Sequence, residues 1–123
     1  MPIRISRERF EELVAEALDS IPDELAEYME NVAVVVQAWP NARQQRTHRG
    51  MLLGLYEGVD LTRRGPLSYH AVMPDRITIF QGPHCRITST EDALRDRIAT
   101  TVIHEVGHHF GISDARLQEL GWS

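Results

Sequence analysis

The stretch HEVGHHFGISD, residues 104–114, decides how the rest of the chain reads. It ends a run that begins at Thr88-Ser89-Thr90-Glu91, which has the form of a capping box with Thr88 as cap and Glu91 as its partner. Asp92 adds a charge favourable to a first helical turn. Leu94, Ile98, Val102 and Val106 then recur at helical spacing, so a long helix with one apolar face carries the stretch. Gly111 is expected in the left-handed conformation that ends it. A short helix over 114–120 follows, closed by Gly121.

On that helix His104 and His108 lie about 40° apart and one turn apart, so two imidazoles can reach one ion. Glu105, beside the first of them, can take the proton from metal-bound water, whose pKa the ion lowers to roughly 7. A hydrolytic zinc site needs three protein ligands and an open position. Gly107 withholds a side chain and Gly111 lets the chain turn back, so Asp114 is the expected third ligand. The spacing H-E-x-x-H-x-x-G-x-x-D therefore points to zinc held by His104, His108 and Asp114, with Glu105 as general base.

Towards the N-terminus, Ser6 is a candidate cap for a helix in which Phe10, Leu13, Val14, Ala17, Leu18 and Ile21 form one stripe. Pro22 breaks it and opens a second short helix with Leu25, Tyr28 and Met29 inward. VAVVVQAW (Val32–Trp39) reads as a buried strand, MLLGLYEG (51–58) as a second, and RITIFQ (Arg76–Gln81) as a third closed by Gly82-Pro83. NARQQRTHR, around Arg43–Arg49, reads as a solvated loop, and residues 60–75 as a turn-rich section. The expected architecture is α+β in one domain, residues 1–123. N-terminal helices pack on a small three- to four-stranded sheet, with the long metal-carrying helix and a short C-terminal helix.

Composition is that of an ordinary globular chain: 42% hydrophobic, 25% charged, net charge −5. Nine of the 18 acids fall between Glu8 and Glu30, and all 13 basic residues are arginine. The acidic balance disfavours nucleic acid as a partner. VAVVV is too short to span a bilayer, and the first residues lack the apolar core of a signal peptide, so no membrane association is expected. With the single cysteine, Cys85, this suggests a soluble, cytoplasmic protein.

HEVGHHFGISD resembles the extended zinc signature of metzincins, with Asp114 where most carry a third histidine. No methionine follows Asp114, where metzincins have their methionine turn. The chain is similar, over most of its length, to the small bacterial minimal-zincin family of zinc metallopeptidases. The segments LLGLYEGVDLTRRG, MPDRITIFQGPH, HEVGHHFGISD and DARLQELGW carry that resemblance. It implies a zincin fold cut to its core, zinc on His104, His108 and Asp114, and Glu105 as base.

The leading expectation is a zinc-dependent peptidase acting on extended peptides or unfolded protein; RITIFQ is read as an edge strand, either an ordinary one or, if it lies beside the site, one to which substrate could add. The alternative is a non-catalytic, zinc-stabilised peptide- or protein-binding module. An RNA-cleaving metal enzyme is a third, disfavoured by the acidic charge. His109 is expected to pack rather than ligate, because it points about 100° away from His108. His48, His70 and His84, in predicted turns or loops, carry no signal individually. Tyr69 or His70 could stabilise an oxyanion if their loop covers the metal. Cys85 is expected as a buried neutral thiol.

Overall fold

The computed structural model describes residues 1–46, 48–58 and 75–121. Ser6 caps α1 (Arg7–Asp19), its hydroxyl accepting the Arg9 N–H at 3.1 Å. The predicted stripe is buried: Phe10, Leu13 and Ala17 are fully enclosed, Val14 and Ile21 nearly so. α2 (Asp23–Ala26) is one turn, continued as a 3-10 turn over Glu27–Met29. Leu25 enters the core as expected, but Tyr28 does not. Its ring lies 4.9 Å from that of Phe110 and remains 44% exposed, an amphipathic placement that keeps the phenol wet.

The sheet has the order β1-β3-β2 among the described residues. β1 (Val32–Gln37) runs parallel to β3 (Asp75–Phe80), with Val32 opposite Asp75 and Gln37 opposite Phe80. β2 (Gly54–Glu57) runs antiparallel to β3, with Gly54 opposite Ile79 and Glu57 opposite Arg76. This corrects two expectations. The RITIFQ segment is the central strand, not an edge, and Ile77–Phe80 are buried at four consecutive positions as a strand flanked on both sides requires. Among the described residues VAVVVQAW is an edge strand that stops at Gln37 and is half-buried, with Val35 exposed and Trp39 turned out over Gly82.

Gly82-Pro83 does not close a turn either. β3 passes directly into α4 (Gln81–Arg86), whose first turn accommodates Pro83 because the N–H it lacks would have no helical partner there. The arginine-rich stretch is not all loop. α3 (Ala42–Gln45) is held by a capping box in which Asn41 accepts the Gln44 N–H at 2.8 Å and Gln44 accepts the Asn41 N–H at 2.9 Å. The turn-rich section falls almost wholly in 59–74, and with Tyr69 and His70 lies outside the described residues.

α5 (Glu91–His109) crosses α1, and the two close the core over Ile77 and Ile79. Its cap is Thr90, which accepts the Ala93 N–H at 3.1 Å, rather than Thr88. The Thr88 hydroxyl instead donates to the His84 carbonyl at the end of α4. Glu91 is drawn away from capping by Arg9, at 2.8 Å. Arg9 also meets Glu12 and Glu16, and Arg95 meets Glu16, so arginines on both helices answer the acidic face of α1. These pairs lie at the surface, partly exposed to solvent, and each contributes little to stability. Gly111, at φ 77°, reverses the chain after α5, and Ile112 N–H closes on the Gly107 carbonyl at 2.7 Å. α6 (Asp114–Glu119) follows, capped by Ser113.

Candidate functional site

α5 carries His104 and His108 on one side, their rings 6.1 Å apart between centroids and nearly parallel at 21°. Asp114, the first residue of α6, places Oδ1 2.9 Å from His108 Nε2. Gly107 makes that approach possible. A Cβ there would stand 2.9 Å from Leu117 Cδ1, and Leu117 is the fully buried residue that seats α6 on α5. The sequence assigned Gly107 a missing side chain; the structure shows which neighbour occupies the space.

Glu105 is held by the sheet. Its Oε1 accepts the Tyr56 N–H of β2 at 3.0 Å. Burial raises the Glu105 carboxyl above the ordinary carboxylate range. The Tyr56 N–H and the nearby His108, His48 and His104 act against that shift. β2 can lie this close because residue 54 is glycine: a Cβ would meet Thr101 Cγ2 at 2.6 Å and the Thr78 carbonyl at 3.3 Å. The result is a cleft of about 240 Å³, with Arg97, Thr101, His104, Glu105 and His108 on one wall and His48 and residues 51–54 on the other.

Two imidazoles and a carboxylate are the donor types of a hydrolytic zinc site with one open position. The set fits in donor chemistry, and His108 Nε2 and the Asp114 carboxylate lie together. Among the described residues no three histidine, cysteine or acidic side chains converge on one point, and His108 and Asp114 bond each other instead.

His109 packs, as expected. It stacks on Tyr56 at 3.8 Å and 19°, and meets Phe110 edge-on. The Tyr56 hydroxyl donates to Asp75 Oδ2 at 2.7 Å, and burial together with that carboxylate pushes the phenol well above its usual range. His84 is not a loop residue. It lies fully buried in α4, with Nδ1 2.9 Å from the Phe80 carbonyl and Nε2 2.9 Å from Thr101 Oγ1. A carbonyl can only accept, so the neutral ring carries its proton on Nδ1, and Nε2 is an acceptor facing the Thr101 hydroxyl, which also has the Arg97 carbonyl within donating reach at 3.0 Å. Burial lowers its pKa to about 4, with Arg97 adding repulsion and the Phe80 carbonyl opposing. Cys85 is half-buried, its thiol pushed up by desolvation, in keeping with a neutral form.

Sequence reasoning missed Tyr56, His48 and Arg97 as members of the site. Tyr56 acts through a backbone N–H, which leaves no trace in residue type. Arg97 was findable: it precedes His104 by seven residues, within about 20° of two full helical turns.

A histidine-bearing helix packed on a small sheet, with a glycine turn delivering a carboxylate, is the architecture of a zincin-like domain. Residues 29–122 match the zincin-like metallopeptidase family, and the chain belongs to that family. A comparison with curated proteins gives no match. The fold is similar to that of a conserved hypothetical protein from T. thermophilus, with a TM-score of 0.54 and 22% identity. That likeness covers 86% of this chain and 94% of the other. No helix among the described residues is long and apolar enough to cross a membrane.

Proposed function

We propose that this protein is a zinc-dependent peptidase that hydrolyses peptide bonds in extended peptides or unfolded chains. His104, His108 and Asp114 are its metal ligands and Glu105 its general base. The observation that carries this reading is the Glu105 carboxylate. It is held in the cleft beside both histidines, fixed by a strand N–H and raised in pKa by burial. A zinc ion bound there supplies water of lowered pKa and a Lewis acid for a carbonyl oxygen. Glu105 takes the water proton and returns it to the leaving amine, a task favoured by a carboxyl pKa shifted towards neutrality. Among the described residues no strand pairs with the side of β2 away from β3, where Tyr56 N–H meets Glu105 of α5, and an extended peptide can lie along it. Net charge −5 argues against nucleic acid as substrate, and the lone Cys85 fits a reducing, cytoplasmic setting.

The test compares wild type with Glu105→Gln in a peptide-library digest, with metal content measured on both. Wild type should cleave and Glu105→Gln should not, at equal zinc content; equal cleavage would refute the mechanism. One observation bears on the alternative, a zinc-stabilised binding module: His108 and Asp114 join α5 to α6, where an ion could act as a clip. Leu117, buried against Gly107, already holds α6 in place, which favours a fold that does not depend on metal. Unfolding on chelation would support the clip.

A further inference from the structure

Arg97 stands apart from Arg95, the other arginine of α5. Arg95 is engaged by Asp92 and Glu16, whereas Arg97 makes no ion pair and no side-chain hydrogen bond among the described residues. It lines the same cleft as His104, Glu105 and His108, with His48 on the facing wall. In a chain of net charge −5, this cleft gathers one guanidinium and three imidazoles around one carboxylate. The seven residues from Arg97 to His104 span about 10 Å along the helix axis, on one face. An extended peptide covers that distance in roughly three residues.

We propose that Arg97, with His48 opposite, is an anchor for a substrate carboxylate, so the cleft prefers peptides bearing a carboxylate about two to four residues from the bond to be cut. The assignment rests on the peptidase reading for its orientation, but the anchoring itself is a binding property. A guanidinium suits it because its planar fork matches a carboxylate with two parallel hydrogen bonds. Two sources share this chemistry, a free C-terminus and an acidic side chain.

The experiment measures binding to the zinc-loaded Glu105→Gln protein by calorimetry at low salt. The probes are an N-acetylated penta-alanine with a free C-terminal carboxylate and the same peptide as its C-terminal amide. The free acid should bind about tenfold more tightly, a preference that shrinks with added salt as screening requires. Arg97→Gln should reduce the preference to within about twofold, while Arg97→Lys should retain part of it. An amidated peptide with one glutamate three residues from its end distinguishes the sources. Affinity matching the free acid assigns the side chain, and affinity matching the amide assigns the C-terminus. Equal affinity for acid and amide, no binding of either, or a preference that survives Arg97→Gln overturns the proposal; the last would mean that a group other than Arg97 takes the carboxylate. If no peptide is cleaved by wild type yet the Arg97-dependent preference stands, the peptidase reading fails and the anchor remains.

Discussion

Substituting Gly54 tests the contact on which the cleft depends. The Cβ of Gly54→Ala would lie 2.6 Å from Thr101 Cγ2, about 1 Å inside the usual carbon–carbon contact, and 3.3 Å from the Thr78 carbonyl. Neither neighbour can move freely. Thr101 is β-branched with Oγ1 held 2.9 Å from His84 Nε2, and Thr78 belongs to the central strand. Overpacking of this kind costs about 1–3 kcal/mol, offset by about 0.4–1 kcal/mol from the lower entropy of an unfolded chain with alanine in place of glycine. Gly54→Ala should therefore lose about 1–2 kcal/mol, or about 3–8 °C in Tm. Thr101→Ser removes Cγ2 and keeps the hydroxyl, at a cost of about 1 kcal/mol for the buried methyl. In the double variant the alanine methyl takes the vacated space, so its loss should be smaller than the sum of the two by about 1–2 kcal/mol. Urea denaturation of all four proteins, with slopes compared to confirm a common unfolded state, measures that coupling. Additivity within about 0.3 kcal/mol would mean that Thr101 is not what excludes a side chain at residue 54.

His84 titrates at about 4 in the folded protein and near 6.5 when unfolded, so between those values the unfolded chain binds the extra proton. Stability should fall as pH drops through that window, by up to about 3 kcal/mol more in wild type than in His84→Gln. Paired urea titrations at pH 7 and pH 4 would detect it, and identical losses would refute it. Gly107→Ala gains up to about 1 kcal/mol of helix propensity but drives a methyl against Leu117, at about 1–3 kcal/mol. Its larger expected effect is to lift α6 and Asp114 from His108, weakening zinc affinity about tenfold or more in a competition titration; unchanged affinity would remove Asp114 from the ligand set. Chelation should leave the far-UV circular dichroism of the protein unchanged and lower Tm only by the ligand-linkage amount, whereas collapse of the helical signal would point to a structural ion.

The parts of this protein legible in its sequence are those where one residue decides one local feature. Ser6, Gly111 and the Leu94–Val106 row have no competing partner, and each fixed its element. The errors arose where a distant residue intervened. Thr88 and Glu91 satisfy the local pattern of a capping box, but Arg9, far away in sequence, claims the glutamate and Thr90 becomes the cap. RITIFQ and VAVVV are both short apolar runs, and nothing in a run of four buried positions says whether it lies at the centre or the edge of a sheet. That depends on how β1 and β2 flank β3. The placing of His104, His108 and Asp114 near the junction of α5 and α6 was readable from their spacing. The hold of Tyr56 N–H on Glu105 was not, because a main-chain donor is the same at every residue but proline.

A site of this kind can be built by close approach instead of by added layers. Three glycines each admit a different neighbour. Gly54 lets the β2 backbone reach Glu105, Gly107 lets Leu117 seat α6, and Gly111 turns the chain so that Asp114 meets His108. Each approach leaves one wall thin. His108 and Asp114 remain 55% and 71% exposed, so among the described residues neither is shielded from water or screening ions. On the proposed ligand set, affinity for an ion would come from the donor types and the anionic charge of Asp114 rather than from exclusion of solvent. Asp114→Asn, which keeps shape and loses charge, separates the two contributions. If charge dominates, zinc affinity should fall by at least about tenfold, while Leu117 keeps α6 docked and Tm in the absence of metal changes by less than about 2 °C. An unchanged zinc affinity would show that the carboxylate charge is not what holds the ion.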